Sequence, residues 1–444
     1  MAPRWSVDRG GALLKYASTL GKAALQDFRT ALFRGTAEDG GLFIPERLPR
    51  LPEAWLAELH EHSFHAIALE VLAPFVDDIP RDALRAIIER AFNFEVPLVL
   101  LEDRLHLLEL FHGPTLAFKD VGARFMAQVM SHYLATEQRE IAVLVATSGD
   151  TGSAVAHGFF KVPHITVFVL YPSGRVSDVQ ERQMATLGGN VRAIEVAGSF
   201  DDCQRLVKRA LSERPPAAGR ELTTANSINI ARLLPQVTYY LWGYAQWRRT
   251  ATAATRPPQF VVPSGNFGNI TATAYARAMG MPATRLVAAT NANDVVPEFL
   301  RTGRYTPRAS LATLSNAMDV GDPSNLSRLR ALLGNDAAKL GSQLQSRSIS
   351  DADTLREIRV IAAHTGTVLD PHTAVAMRVA RALPDDIDTL VAATAHPAKF
   401  PEVMRQAFGR DIAVPESLAA LAGQPKLSVR IPAEYDALRD LLAR

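Results

Sequence analysis

Over the first 95 residues apolar positions recur at helical spacing and are interrupted by prolines. Leu51 to His65 and Pro80 to Phe92 are the clearest stretches, and each is predicted to be a short amphipathic helix. From about Pro97 the texture changes, because short apolar runs now end in Gly, Ser, Thr, Asn or Pro and lead into segments of helical period. Ile141 to Ala146, Ile165 to Tyr171, Phe260 to Pro263, Leu286 to Thr290 and Leu390 to Thr394 show this best. Strand, loop and helix in alternation predict parallel α/β sheets whose functional loops lie at the strand C-termini. No internal repeat is visible, and Thr250 to Pro258 reads as an exposed linker.

Composition narrows the classes of partner. The 444 residues are enough for two or three domains with large cores. Lys and Arg number 48 against 46 Asp and Glu, a net charge of +2 that is scattered along the chain. The densest basic stretch, Arg248 and Arg249, is too short to track phosphates, so no nucleic-acid partner is expected. No unbroken apolar run approaches the roughly 18 residues of a spanning helix, and no membrane association is expected. The single cysteine, Cys203, cannot close an intramolecular bridge, and the opening residues carry Asp8 without a sustained apolar stretch. Both features predict a cytoplasmic protein.

Three segments carry candidate chemistry. In VATSGDTGSAV a strand gives way to Thr147, Ser148, Gly149, Asp150 and Thr151 and then a helix. In FVVPSGNFGNI the same transition runs through Ser264, Gly265, Asn266, Phe267 and Gly268. Loops of this kind present N–H groups and hydroxyls to an anion at a helix N-terminus, and two of them call for two anions. Neither matches a P-loop or a GxGxxG dinucleotide fingerprint. In LFHGPTLAFKD, Lys119 follows Leu116, Ala117 and Phe118, an apolar approach that would desolvate the amine and supply the neutral form a Schiff base needs. A carbonyl-forming lysine beside a phosphate cup points to pyridoxal phosphate. In LVAATAHPAKF, Thr394 offers a hydroxyl to the cofactor's ring nitrogen.

With these motifs in place the chain resembles the threonine synthase family of the pyridoxal-phosphate fold-type II group. The resemblance runs through KYASTLG, EDGGLFIPE, HGPTLAFKD, ATSGDTG, LYPSGRVS, ANSINIARLLPQ, VPSGNFGN, ATNANDVVPEFL, TLSNAMDV, LDPHTAV and TAHPAKF. It implies two parallel-sheet α/β domains, similar to the tryptophan synthase β chain, plus an N-terminal mostly helical domain. The implied division is 1–95 for the helical domain, 96–125 with 225–444 for the large cofactor-binding domain, and 126–224 for the small one. It also implies Lys119 as the Schiff-base lysine, Ser264 to Gly268 as the cofactor-phosphate loop, Thr394 at the ring nitrogen and Asp150 near the cofactor's O3′. A carboxylate there is repulsive toward a phenolate-like oxygen unless one of the two is protonated.

The activity implied is conversion of O-phospho-L-homoserine and water to L-threonine and phosphate by γ-elimination and β-addition, the last step of threonine biosynthesis. Thr147, Ser148, Gly149 and Thr151 would then hold the substrate carboxylate. Arg232 or Arg175 would clamp the leaving phosphate through a planar guanidinium, with Asn226 or Ser227 in support. A homodimer follows by analogy with the group. Two rivals stay open: a dehydratase or phospholyase using the same lysine, and a catalytically silent ligand-binding homologue. Asn269 and Leu20 depart from the family pattern, which has Asp and commonly Arg there. His60, His62 and His65 lack metal-site spacing, and no metal is expected. His112, His372 and His396 are expected to orient loops, while Tyr239, Tyr240, Trp242, Tyr244 and Trp247 are expected to pack.

Overall fold

In the computed structural model, which describes residues 13–137, 139–251 and 256–444, each of the five apolar runs is a strand. Asp8 and the middle of the 250–258 linker lie outside the described residues. The strands are apolar throughout because both faces of a parallel sheet are covered. Ile141–Ala146, for example, is buried at every position.

The larger sheet has six strands: β3 (Leu98–Glu102), β4 (Leu105–Glu109), β9 (Gln259–Pro263), β10 (Arg285–Thr290), β11 (Gln345–Ser348) and β12 (Thr389–Ala393). Their order is β11-β10-β9-β12-β4-β3, parallel except for the antiparallel β3/β4 pair. The smaller sheet is parallel throughout, in the order β13-β7-β6-β5-β8. Its strands are β5 (Ile141–Ala146), β6 (Ile165–Pro172), β7 (Val191–Ala197), β8 (Glu221–Thr224) and β13 (Val429–Pro432).

Two of the implied boundaries are corrected. The division at 125 falls inside one continuous helix, Lys119–Leu134, whose apolar face runs unbroken from Val121 to Leu134. The assignment of all residues after 225 to the large unit fails at β13, which pairs with β7 so that Ile431 lies opposite Val196. The helix behind it, Tyr435–Leu442, buries Leu438 and Leu442 against Cys203 and Leu206.

The N-terminal part is mostly helical, with a small ribbon in which β1 (Tyr16–Ser18) pairs with β2 (Phe43–Pro45). The predicted Leu51 to His65 helix is broken. Glu53–Ala57 gives way to a single turn, and a new helix, Phe64–Leu72, starts where the Ser63 hydroxyl accepts the N–H of Ala66. Pro80 to Phe92 appears as the helix Arg81–Ala91. This part shares one core with the rest, since Phe64 stacks on Phe92 at 5.5 Å and meets Trp242 at 6.0 Å. Trp242 belongs to the helix Gln236–Thr250, whose aromatics pack as expected.

Candidate active site

The loops that follow β5, β9 and β12 open into a cavity of about 560 Å³. Lys119, Asp150, Arg232 and Thr394 all line it, as do Thr147, Ser148, Thr151, Asn226, Ser227 and every residue from Ser264 to Gly268. Ligand sites outside the C-terminal ends of strands are the rule for such sheets.

The Ser264–Gly268 loop is built to leave its N–H groups unspent. Ser264 turns inward, its N–H donating to the Ala289 carbonyl at 2.8 Å and its hydroxyl to the Val262 carbonyl at 2.9 Å. Phe267 takes a left-handed φ of 59°, an uncommon conformation for a non-glycine residue, and the helix Gly268–Ala278 follows. Among the described residues no acceptor takes the N–H of Gly265, Asn266, Phe267 or Gly268. Backbone donors left open at the positive end of an eleven-residue helix fit a phosphate.

The second loop is organised differently. The Thr147 hydroxyl accepts from the N–H of Gly149 at 2.9 Å and of Gly152 at 2.8 Å, so it folds the loop instead of facing a ligand. Gly149 has φ +140°, and a Cβ there would sit 2.5 Å from the Gln180 amide. Ser148 and Thr151 line the cavity with side chains that have no partner among the described residues. Asn226 is spent too, its amide donating to the Ala146 carbonyl at 2.7 Å while its oxygen accepts the Ala146 N–H at 3.1 Å. Ser227 accepts from the Asn266 amide at 2.7 Å, which ties the NSIN segment to the phosphate loop.

Lys119 opens its helix at the cavity wall, with its Nζ 5.2 Å from the centre of the Phe118 ring. Burial lowers its proton affinity, Lys399 and Arg232 push the same way, and Asp150 and Asp370 oppose them. The backbone before it is pinned to the strand end that carries Thr394, because Phe118 N–H donates to the Thr394 carbonyl at 2.9 Å. Thr394 N–H in turn donates to the Thr373 hydroxyl at 3.1 Å, and that hydroxyl donates to Asp370. The Thr394 hydroxyl itself has no partner among the described residues.

Asp150 is neutralised by a residue the sequence did not single out. Burial alone would raise its proton affinity, but Lys399 and Lys119 outweigh this and hold the carboxyl well below the usual carboxylate range. Lys399 Nζ lies 2.7 Å from Asp150 Oδ1, and Gln180 donates to the same oxygen at 2.9 Å. His372 also lines the cavity. Its Nε2 accepts the Ala317 N–H at 3.1 Å, so Nδ1 carries the proton and donates to Asp370 at 2.8 Å. His396 similarly accepts the Ala398 N–H at 3.1 Å.

The two candidate arginines part company. Arg232 is 3% exposed and donates from Nη1 to the Ala225 carbonyl, while its buried Nε has no partner. Burial pushes its guanidinium down to about 10 against the opposing charge of Asp120. Gly122 makes room for it, since a Cβ there would lie 3.0 Å from Nε. Arg175 is exposed and does not line the cavity. Strand β6 runs on to Pro172, and the turn through Gly174, at φ +65°, carries Arg175 clear of the site. At the departure Asn269, one oxygen accepts the hydroxyls of both Tyr239, at 2.5 Å, and Tyr240, at 2.8 Å.

Comparison with known proteins bears on the same residues. The family described as "Pyridoxal-phosphate dependent enzyme" matches residues 98–394, "Threonine synthase N terminus" matches 15–92 and "Threonine synthase, C-terminal" matches 373–442. The threonine synthase of Serratia marcescens is 42% identical over 94% of this chain and 96% of its own length. That of Escherichia coli K12 is 41% identical with the same coverage. The crystal structure of the Escherichia coli threonine synthase superposes with a TM-score of 0.90, covering 96% of this chain and 99% of that one at 40% identity. A pyridoxal-phosphate-bound threonine synthase from Brucella melitensis gives 0.89 at 35% identity, covering 97% and 99%. A diaminopropionate ammonia lyase, at 15% identity and a TM-score of 0.58, shares the fold alone. The chain therefore belongs to the threonine synthase family of pyridoxal-phosphate-dependent enzymes.

Proposed function

We propose that this cavity converts O-phospho-L-homoserine and water to L-threonine and phosphate, with the phosphate leaving from Cγ and the hydroxyl of water arriving at Cβ. The observation that carries this reading is the meeting, in one cavity, of a desolvated lysine, two anion loops and a buried arginine with an unspent Nε. Pyridoxal phosphate, when bound, supplies an electron sink for the substrate's α-carbon. Lys119 is the base whose lowered proton affinity lets it take and return protons along the substrate chain. The open N–H groups of Gly265 to Gly268 would hold the cofactor phosphate, and the free Thr394 hydroxyl would serve the ring nitrogen.

Ser148 and Thr151, with the loop backbone, hold the substrate carboxylate. Arg232 takes the phosphate that leaves, because a guanidinium stays charged even when burial lowers its proton affinity to about 10. Thr147, Gly149 and Asn226 serve by shaping the loops. The small-molecule substrate is the only partner this reading requires, and among the described residues no helix is long and apolar enough to cross a membrane. A cytoplasmic setting belongs to the same proposal, supported by a lone, buried cysteine.

The test is a phosphate-release assay on O-phospho-L-homoserine with identification of the organic product. Threonine and phosphate in equal amounts are expected. Release of 2-oxobutyrate in place of threonine would make the enzyme a lyase without the water-addition step, and no release at all would leave only binding.

A further inference from the structure

Lys399 does not line the cavity, yet it is ion-paired with Asp150, which does. It is fully buried on the turn Pro397–Lys399, and its Nζ lies 2.7 Å both from Asp150 Oδ1 and from the Thr115 carbonyl. The other oxygen of Asp150 is 3.8 Å from Lys119 Nζ. The three charges form a row, Lys399, Asp150, Lys119, in which only the outer lysine is without access to the cavity. The row also crosses between the two sheets, since Asp150 follows β5 and Lys399 follows β12.

We propose that Lys399 is a positioning residue that fixes the direction of the Asp150 carboxylate and cancels its field at Lys119, so that the proton affinity of the lysine nitrogen is set by the pair. A carboxylate alone at 3.8 Å would hold a proton on that nitrogen, which is the wrong state for a base or for an amine that must bond to a carbonyl. The paired lysine damps this attraction while Gln180, donating to Oδ1 at 2.9 Å, keeps the carboxylate from turning. The other charged or titratable groups in the neighbourhood are His372, which faces Asp150, Arg232 and Asp370, which face Lys119, and Asp120, His157 and His396, which face Lys399. This inference rests on Lys119 being the cofactor-binding lysine.

The experiment is a pH titration of the visible absorbance band of the cofactor-loaded enzyme for the wild type, Lys399→Met, Asp150→Asn and the double variant. Lys399→Met should raise the midpoint by about one to two units, the scale for an opposite charge at this distance. Asp150→Asn should lower it by a similar amount, because the Lys399 charge is then unopposed. The double variant should return to within about half a unit of the wild type, as a coupled pair does. A residue that merely braces the turn would lower the melting temperature of all Lys399 variants and leave the midpoint in place.

An unmoved midpoint in Lys399→Met, or a double variant displaced as far as Lys399→Met, overturns the proposal. If Lys399→Met does not fold, the step from Asp150→Asn to the double variant reads the same contribution: an upward shift supports the proposal and no shift overturns it. Cofactor loss in Lys399→Met that the double variant restores supports it, and loss that the double variant retains overturns it. Borohydride reduction with peptide mapping runs alongside. A label away from Lys119 removes the underlying assignment, whereas a label on Lys119 with an unmoved midpoint removes this inference alone.

Discussion

The Nε of Arg232 is buried without a protein partner, and a polar atom kept that way is expensive, while the Thr394 hydroxyl has no protein partner among the described residues and belongs to a buried residue on the cavity wall. Thr394→Val removes a donor with little change in volume. It should cost about 1 to 3 kcal/mol of stabilisation in the cofactor-loaded reaction, read from kcat, and leave the melting temperature of the apoprotein nearly unchanged. An equal loss of apoprotein stability would show that the hydroxyl serves the fold. Arg232→Lys keeps the charge but loses the planar fork, so kcat on O-phospho-L-homoserine should fall while cofactor affinity stays put. A variant that sheds its cofactor but binds substrate analogues normally would place Arg232 on the other phosphate. At this scale the sequence names positions better than roles. Thr147 and Asn226 stand in the right loops, but whether a hydroxyl or amide faces outward depends on where the loop's own N–H groups fall. Lys399 was not legible as a site residue, because a lysine after Pro-Ala has the composition of a surface turn and only the fold brings Asp150 to it.

The loop after β9 owes its shape to its neighbours as much as to its glycines. A Cβ on Gly265 would sit 2.5 Å from Met318 Cα, a backbone atom that cannot swing aside. Gly265→Ala should therefore displace either the phosphate loop or the TLSNAMDV segment and weaken cofactor binding by about 1 to 3 kcal/mol, the scale of overpacking. Equilibrium dialysis of the cofactor measures it, and unchanged affinity would mean that the loop does not hold the phosphate. Five strands, β5, β6, β9, β10 and β12, were legible because a strand buried on two faces leaves a continuous apolar run. The break between Leu51 and His65 was not, since helical periodicity carries through it and the interruption comes from the Ser63 cap.

On the scale of the whole molecule the sheets are joined by the long helix Lys119–Leu134, by the Lys399–Asp150 pair and by a chain that returns to the smaller sheet as β13. That return was invisible to a reading by continuous segments, because Val429–Pro432 is four residues long, ends in proline and lies far along the chain from the strand it pairs with. The helix behind it closes the small sheet's second core, where Leu438 is fully buried in one cluster with Cys203, whose thiol burial pushes up to about 12. Leu438→Ala should cost about 2 to 5 kcal/mol and make Cys203 react with a thiol reagent before global unfolding. Protection of Cys203 until the whole protein melts would show that this corner opens only with the rest.

The placement of β13 also orders events during synthesis. β7 leaves the ribosome long before the strand that covers its outer edge, so for most of translation that edge offers seven residues of unpaired backbone to any neighbouring chain. When β13 finally docks, it covers Ile194 to Ala197 and leaves a short edge that carries Arg430 and ends in Pro432, a poor template for further pairing. Aggregation of this protein should accordingly track the density of unfinished chains, and thus the rate of translation, more closely than the stability of the completed enzyme.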